Sequence, residues 1–178
     1  MPHTPRVLVV MGPAGAGKTT VGQALAARLA VPFVDADDHH DEVAVARMRA
    51  GHPLTDADRA PWLARLNALI AAALAEGRSF VLACSALKRA YREALRPADA
   101  PPGAVRFVYL RVPRAALGER LTSRVGHYMP AALLDSQLQA LEEPGPDEDA
   151  LTLAADRPVP ELVDEVLAWG APGDRPRG

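Results

Sequence analysis

Gly12-Pro13-Ala14-Gly15-Ala16-Gly17-Lys18-Thr19 fits the spacing G-x-x-x-x-G-K-[ST] and lies between an apolar run, Arg6 to Met11, and a helical pattern from Lys18 to Ala30. A strand, a glycine-rich turn and a helix are the setting this motif requires. The glycines let the backbone curl so that successive N–H groups point inward at phosphate oxygens. The start of the following helix adds a positive dipole end. Lys18 is expected to bridge the β- and γ-phosphates of a nucleoside triphosphate, and the Thr19 hydroxyl to ligate Mg²⁺. The nucleotide contacts expected here are Gly12, Ala14, Gly15, Ala16, Gly17, Lys18, Thr19 and Thr20.

Outward from this loop, strands alternate with helices. Val31 to Val34 reads as a second strand ending at Asp35, and Asp41 to Ala50 as a short helix closed by Gly51. Thr55 or Asp56 caps a longer helix through Trp62, Leu66, Leu69 and Ile70 to Ala75, with Gly77 as its stop. Ser79 to Cys84 reads as a third strand, and a helix through Leu87, Tyr91 and Leu95 runs to Pro97. Val105 to Leu110 is a fourth strand, followed by a helix from Pro113, another over Leu133 to Leu141, a short strand at Leu151 to Ala154 and a last helix from Val159 to Trp169. Such alternation predicts an α/β fold with a parallel sheet and its ligand at the carboxyl ends of the strands. One domain is expected over residues 1–178, with loose ends before residue 6 and after residue 170.

The bulk composition narrows the class. At 49% hydrophobic and 24% charged residues the chain is ordinary for a globular protein, and no apolar run is long enough to span a bilayer. The net charge of −2 gives no reason to expect nucleic acid or a membrane as partner. No signal-peptide pattern opens the chain, and the single cysteine, Cys84, suits a reducing compartment, so a cytoplasmic location is expected. Of 20 basic residues only Lys18 and Lys88 are lysine, and both fall inside chemical motifs. Neither is followed two residues later by aspartate, so the base-reading motif of GTPases is absent. A kinase is the better reading of the loop than a switch.

An acceptor side is expected opposite the phosphates. In an extended segment Asp35 and Asp37 share a face at the end of the second strand, where one can serve Mg²⁺ and the other can orient an acceptor hydroxyl. The same pair can also be a polar turn, and His40 beside it can be solvated. Arg59 and Trp62 share a helix face, and Pro61 suits a first helical turn. Ser85 can cap the helix after the third strand. Lys88 and Arg92, four apart, then form either a solvated basic face or a cation pair for an anionic acceptor. Arg120 and Arg124, again four apart, precede Gly126-His127-Tyr128-Met129-Pro130. They read either as a charged helix end or as the arginines of a lid, over about residues 120–142, that excludes water and neutralises the migrating group.

Together these pieces resemble the gluconokinase family, small P-loop kinases of the shikimate-kinase and nucleotide-kinase-like group. The matching stretches are GPAGAGKTT, VDADDHH, RMRAGHPLTDADRAPWL, CSALKRAYREALR and ERLTSRVGHYMPAALLDSQLQALEEP, in family order from Val7 to Glu148. PLTDADRAPWL and CSALKRAYR are specific to that family. The resemblance implies a P-loop fold with a five-stranded parallel sheet and a small lid, a homodimer, and transfer from ATP to D-gluconate giving 6-phosphogluconate. It further implies Asp35 on the Mg²⁺ side, Asp37 on the acceptor hydroxyl, and His40, Arg59, Lys88, Arg92 and His127 as sugar-acid contacts. Arg120 and Arg124 would face nucleotide and phosphates, with Lys18, Asp37 and Arg124 carrying the reaction. One segment departs: where the family shows H-P-x-x-N and then K-M, this chain has His40-Asp41-Glu42-Val43-Ala44 and then Arg47-Met48. A shikimate- or nucleoside-monophosphate-type kinase is the rival enzyme, and a non-catalytic nucleotide-binding module the rival of another class.

Overall fold

The computed structural model describes residues 4–123 and 131–170. In chain order its elements are β1 (Val7–Met11), α1 (Lys18–Leu29), β2 (Phe33–Asp35), a 3₁₀ turn (Ala36–His39), α2 (Glu42–Arg49), α3 (Asp56–Ala75), β3 (Phe80–Ala83), α4 (Arg89–Leu95), β4 (Val105–Arg111), α5 (Arg114–Ser123), α6 (Ala131–Ala140), β5 (Ala150–Ala154) and α7 (Val159–Trp169). The five strands form one sheet in the order β2-β3-β1-β4-β5, and each adjacent pair is parallel. The expected fold is therefore the observed one.

The alternation of side chains along each strand divides the core into two layers. Val7, Val9 and Met11 of β1, with Val105, Phe107 and Tyr109 of β4, face Trp62, Leu66 and Ile70 of α3 and Leu95 of α4. Val10, Val108 and Leu110 face the other way, onto Val21 and Leu25 of α1, Leu117 of α5 and Leu162 and Val166 of α7. Both faces are covered, which explains why the central strands read as unbroken apolar runs. No helix among the described residues is long and apolar enough to cross a membrane.

Parallel register brings the carboxyl ends of the strands to one edge. Asp35 pairs with Ala83, and Val10 with both Ala83 and Val108. The glycine-rich loop, the turn after β2 and the segment after β3 leave the sheet side by side there.

Local details depart from the sequence reading in three places. Asp35 and Asp37 are not in one extended segment: the chain enters a 3₁₀ turn at Ala36, and Asp35 caps it by accepting a hydrogen bond from the Asp37 N–H at 2.9 Å. Helix α3 starts at Asp56, capped by Thr55 with a reciprocal box to Asp58, so Pro61 falls in the second turn rather than the first. There its ring leaves the Ala57 carbonyl without the usual helical donor. Ser85 does not cap α4, because the chain stays non-helical through Leu87 and Lys88 is the N-cap. The reason is Ala86, held at φ 46° in the left-handed region.

Candidate active site

The cradle begins with backbone. Gly17, the N-cap of α1, has φ 97°, a conformation that side-chain-bearing residues adopt only with strain. Gly12 has φ 150°, and a Cβ there would stand 3.1 Å from both Ala16 Cβ and the Leu110 carbonyl oxygen. The loop is thus shaped for glycine at its first and last positions. Lys18 Nζ reaches back across it, donating to the Gly12 and Pro13 carbonyls at 2.9 and 3.0 Å. Ala14 N–H donates to Gln137 Oε1 of α6 at 2.8 Å. Arg120 braces the outer side, its guanidinium 3.2 and 3.3 Å from the Gly15 and Ala16 carbonyls and 3.1 Å from that of Ala155. Thr19 is half-buried and Thr20 exposed in the first turn of α1.

Beside the cradle stands the turn after β2. The Asp37 side chain is 81% exposed, yet it lies where surrounding protein displaces part of its hydration. That partial desolvation, and next the Asp35 charge, push its pKa above the ordinary 3.8, while Lys18 and His40 pull it down. Asp37 thus lies in the fields of Asp35, Lys18 and His40. His40 is 4% exposed in its side chain and stacks on Trp62 at 4.2 Å between centroids, with 14° between planes. Its Nε2 is 3.9 Å from Asp37 Oδ1, and its Nδ1 is buried without a hydrogen-bond partner among the described residues. Burial lowers its pKa from 6.5, so the imidazole is neutral at pH 7. Trp62 is fixed in turn by donating from Nε1 to the Ala36 carbonyl at 2.7 Å.

A second cluster gathers around Tyr91. Arg59 donates to the Leu54 carbonyl at 2.6 Å and to Tyr91 Oη at 3.2 Å, and its guanidinium lies 5.4 Å from the Tyr91 ring centre. Lys88 Nζ lies 5.6 Å from the same ring and 3.2 Å from Asp56 Oδ1, which also accepts a short hydrogen bond from Tyr91. Lys88 and Arg59 therefore both lie against the Tyr91 ring.

Arg92 does not join them, contrary to the sequence reading. Its side chain is 1% exposed, paired in a fork with Glu148 at 2.6 and 3.1 Å. It also donates to the carbonyls of Ala86, Leu87 and Glu142 at 2.8, 3.2 and 2.9 Å. These bonds hold the left-handed Ala86 and the backbone leading to Lys88. Arg92 supports the loop from beneath, and because Lys88 is an N-cap, the two cations do not share a helix face. Arg124, Gly126 and His127, the remaining lid expectations, lie outside the described residues. Sequence reasoning passed over three contributors, Gln137, Tyr91 and Asp56. Gln137 left a trace, a polar residue on the stripe Leu134, Leu138 and Leu141. The partnership of Tyr91 with Asp56 spans 35 residues and has no local signature.

Residues 7–144 match a family described as AAA domain. A gluconokinase of Gluconobacter oxydans is 45% identical over 163 residues, covering 92% of this chain and 90% of the relative. The crystal structure of a gluconokinase from Sinorhizobium meliloti superposes with a TM-score of 0.83 at 40% identity, over 94% of this chain and 93% of that one. An unliganded sugar kinase from Janibacter superposes with a TM-score of 0.86 at 42% identity, over 93% and 94%.

Proposed function

The chain belongs to the gluconokinase family, and on that footing we propose that it moves the γ-phosphoryl group of ATP onto a hydroxyl of D-gluconate, giving 6-phosphogluconate and ADP. The observation that carries the reading is the meeting of two charge sets at one sheet edge. Lys18 of the glycine loop and Asp35 both act on the Asp37 carboxylate, and the cations Arg59 and Lys88 lie by the Tyr91 ring on the acceptor side.

The roles follow from chemistry. Loop N–H groups and Lys18 hold the phosphates in line and neutralise charge developing on them. Asp37 accepts the hydrogen bond of the attacking hydroxyl, and its raised pKa favours it as a proton acceptor. His40, neutral and backed by Trp62, borders the acceptor. Arg59 and Lys88 grip the carboxylate of the sugar acid, Lys88 exchanging its contact with Asp56 for the substrate. Arg120 lies against the cradle for the nucleotide, and Arg124 and His127 complete the reading from the lid side.

The fold family implies Mg²⁺ with the triphosphate, and the residues fit it. Thr19 offers a hydroxyl and Asp35 a carboxylate, hard oxygen donors of the kind Mg²⁺ takes. Asp35 and Asp37 also repel each other, a crowding of like charge that a divalent cation would relieve. When bound, the ion supplies neutralisation of the phosphate oxygens.

The test is ADP release by the full chain with ATP and Mg²⁺, across gluconate, shikimate and nucleoside monophosphates. Gluconate alone should stimulate release. Stimulation by shikimate or a monophosphate instead would replace the substrate, and tight nucleotide binding with no stimulation by any acceptor would leave only a nucleotide-binding module.

A further inference from the structure

We propose that Gln137 is a positioning residue for the cradle lysine, acting on it through the single peptide unit between Pro13 and Ala14. This rests on the phosphotransfer reading and adds a residue to it.

In a trans peptide the carbonyl and the N–H point in opposite directions. Among the described residues no peptide is cis. The Pro13 carbonyl accepts from Lys18 Nζ at 3.0 Å, and the N–H of the same unit, on Ala14, donates to Gln137 Oε1 at 2.8 Å. One plane is therefore pinned from both sides, by the lysine in the loop and by the glutamine outside it. The 13–14 plane turns about the Pro13 ψ and the Ala14 φ, and the glycines on either side, Gly12 at φ 150° and Gly15 at φ 83°, can absorb the compensating rotations. Without an acceptor on the far side, the 13–14 plane is free to turn its carbonyl away from the ammonium. Lys18 would then lose one of the two carbonyl contacts that hold it across the loop mouth.

Gln137 is well placed for this role because its helix is anchored at its middle and just past its C-terminal end. Asp135 pairs with Arg114 of α5 at 2.6 Å, and Leu134 is buried in the core layer that contains Leu117 and Leu121. Just past α6, Glu142 N–H donates to the Leu87 carbonyl at 2.8 Å, one residue before Lys88. A polar side chain on an otherwise apolar stripe is thus aimed at one loop amide by a helix that also touches the acceptor loop.

The experiment compares wild type, Gln137→Leu and Gln137→Glu. Leu keeps the bulk and removes the acceptor oxygen, whereas Glu keeps an acceptor at the same reach. Two readouts are taken: amide hydrogen exchange at Ala14 without nucleotide, and steady-state kinetics with ATP, Mg²⁺ and gluconate. Gln137→Leu should speed exchange at Ala14 and lower kcat roughly tenfold or more, since small misplacement of a catalytic group is costly. The KM for gluconate should stay within about twofold, because removing a group that acts in the transition state lowers kcat rather than acceptor binding. Gln137→Glu should restore protection at Ala14. The melting temperatures of both variants should stay within about 2 °C of wild type. Unchanged exchange at Ala14, a kcat within twofold of wild type, or a loss that follows only a fall in melting temperature would overturn the proposal. Should the wild type show no gluconate-dependent turnover, the exchange measurement alone still decides whether Gln137 pins the peptide. The failure of the functional reading is thereby kept separate.

Discussion

The two halves of the site are made of different material. The proposed phosphate half is eight consecutive residues that would bind through their main chain, with one long side chain, Lys18, laid across it. The acceptor half is made of side chains from three separate stretches: the turn after β2, the first turns of α3, and the loop and helix after β3. Each of those side chains is steered by another, as Trp62 steers His40 and Asp56 steers Lys88. A site built from backbone is written locally and tolerates change in its side chains. A site built from side chains is written across the whole fold, and each member depends on its supports.

The largest effect should come from the one side chain on which the backbone half depends. Lys18→Met should lower kcat by roughly 100-fold to 1000-fold, the range for deleting a preorganised charge in phosphoryl or acyl transfer. Its melting temperature should hold, because the loop conformation is set by glycines. Retention of more than a tenth of the activity would mean that the cradle is not where transfer occurs.

In the acceptor half, Asp37→Asn should cost about 100-fold in kcat, the usual weight of a positioned base. Its pH behaviour separates function from stability. The folded-state pKa lies above 3.8, so between 3.8 and that value the native state binds the proton more tightly than the unfolded chain. The associated stability is present below 3.8 and lost as pH rises through the folded pKa. At pH 7 the Asn variant should therefore be slightly the more stable in urea, with the gap closing in acid. The gain is small, because the carboxylate is largely exposed. For the wild type, kcat/KM for gluconate should fall on the acid side with a midpoint above 3.8.

Lys88 and Arg92 test the dependence of functional side chains on their supports. Arg92→Ala strands the nearly buried Glu148 carboxylate and should cost about 3 kcal/mol or more of stability, read from the urea midpoint. Lys88→Ala should leave that midpoint near wild type and raise the KM for gluconate roughly tenfold, the weight of one charge-assisted hydrogen bond. The reverse pattern would return Arg92 to the acceptor pocket.

That pair also marks the limit of what the sequence told. The fold class, all five strands and most helix boundaries were legible because short apolar runs and period-3.6 patterns are local. So was the cradle, a contiguous motif. The turn at Ala36 and the late start of α4 were not. The first depends on Asp35 capping its own backbone, and the second on Ala86 being held left-handed by an arginine six residues on. Spacing put Lys88 and Arg92 on one face only by assuming a helix that begins three residues too early.

The smallest expected effect concerns the segment where this chain departs from its family. Asp41 stands where the family shows proline, and it caps α2 by accepting from the Ala44 N–H at 2.7 Å. The backbone nonetheless keeps the shape a proline would need. Asp41 has φ −74°, inside the range the pyrrolidine ring imposes, and His40 before it has φ −71° and ψ 145°, the extended conformation preferred ahead of proline. Asp41→Pro should therefore fit without strain. Loss of the cap costs about 1 kcal/mol, and the stiffer unfolded chain returns roughly 0.4–1 kcal/mol, so the two nearly cancel. The urea midpoint should barely move, and the KM for gluconate should stay within about twofold, because His40 remains stacked on Trp62. A large rise in KM would show that the acceptor half is tuned through the backbone at residue 41, and that the departure from the family pattern is a change of substrate fit rather than of helix capping.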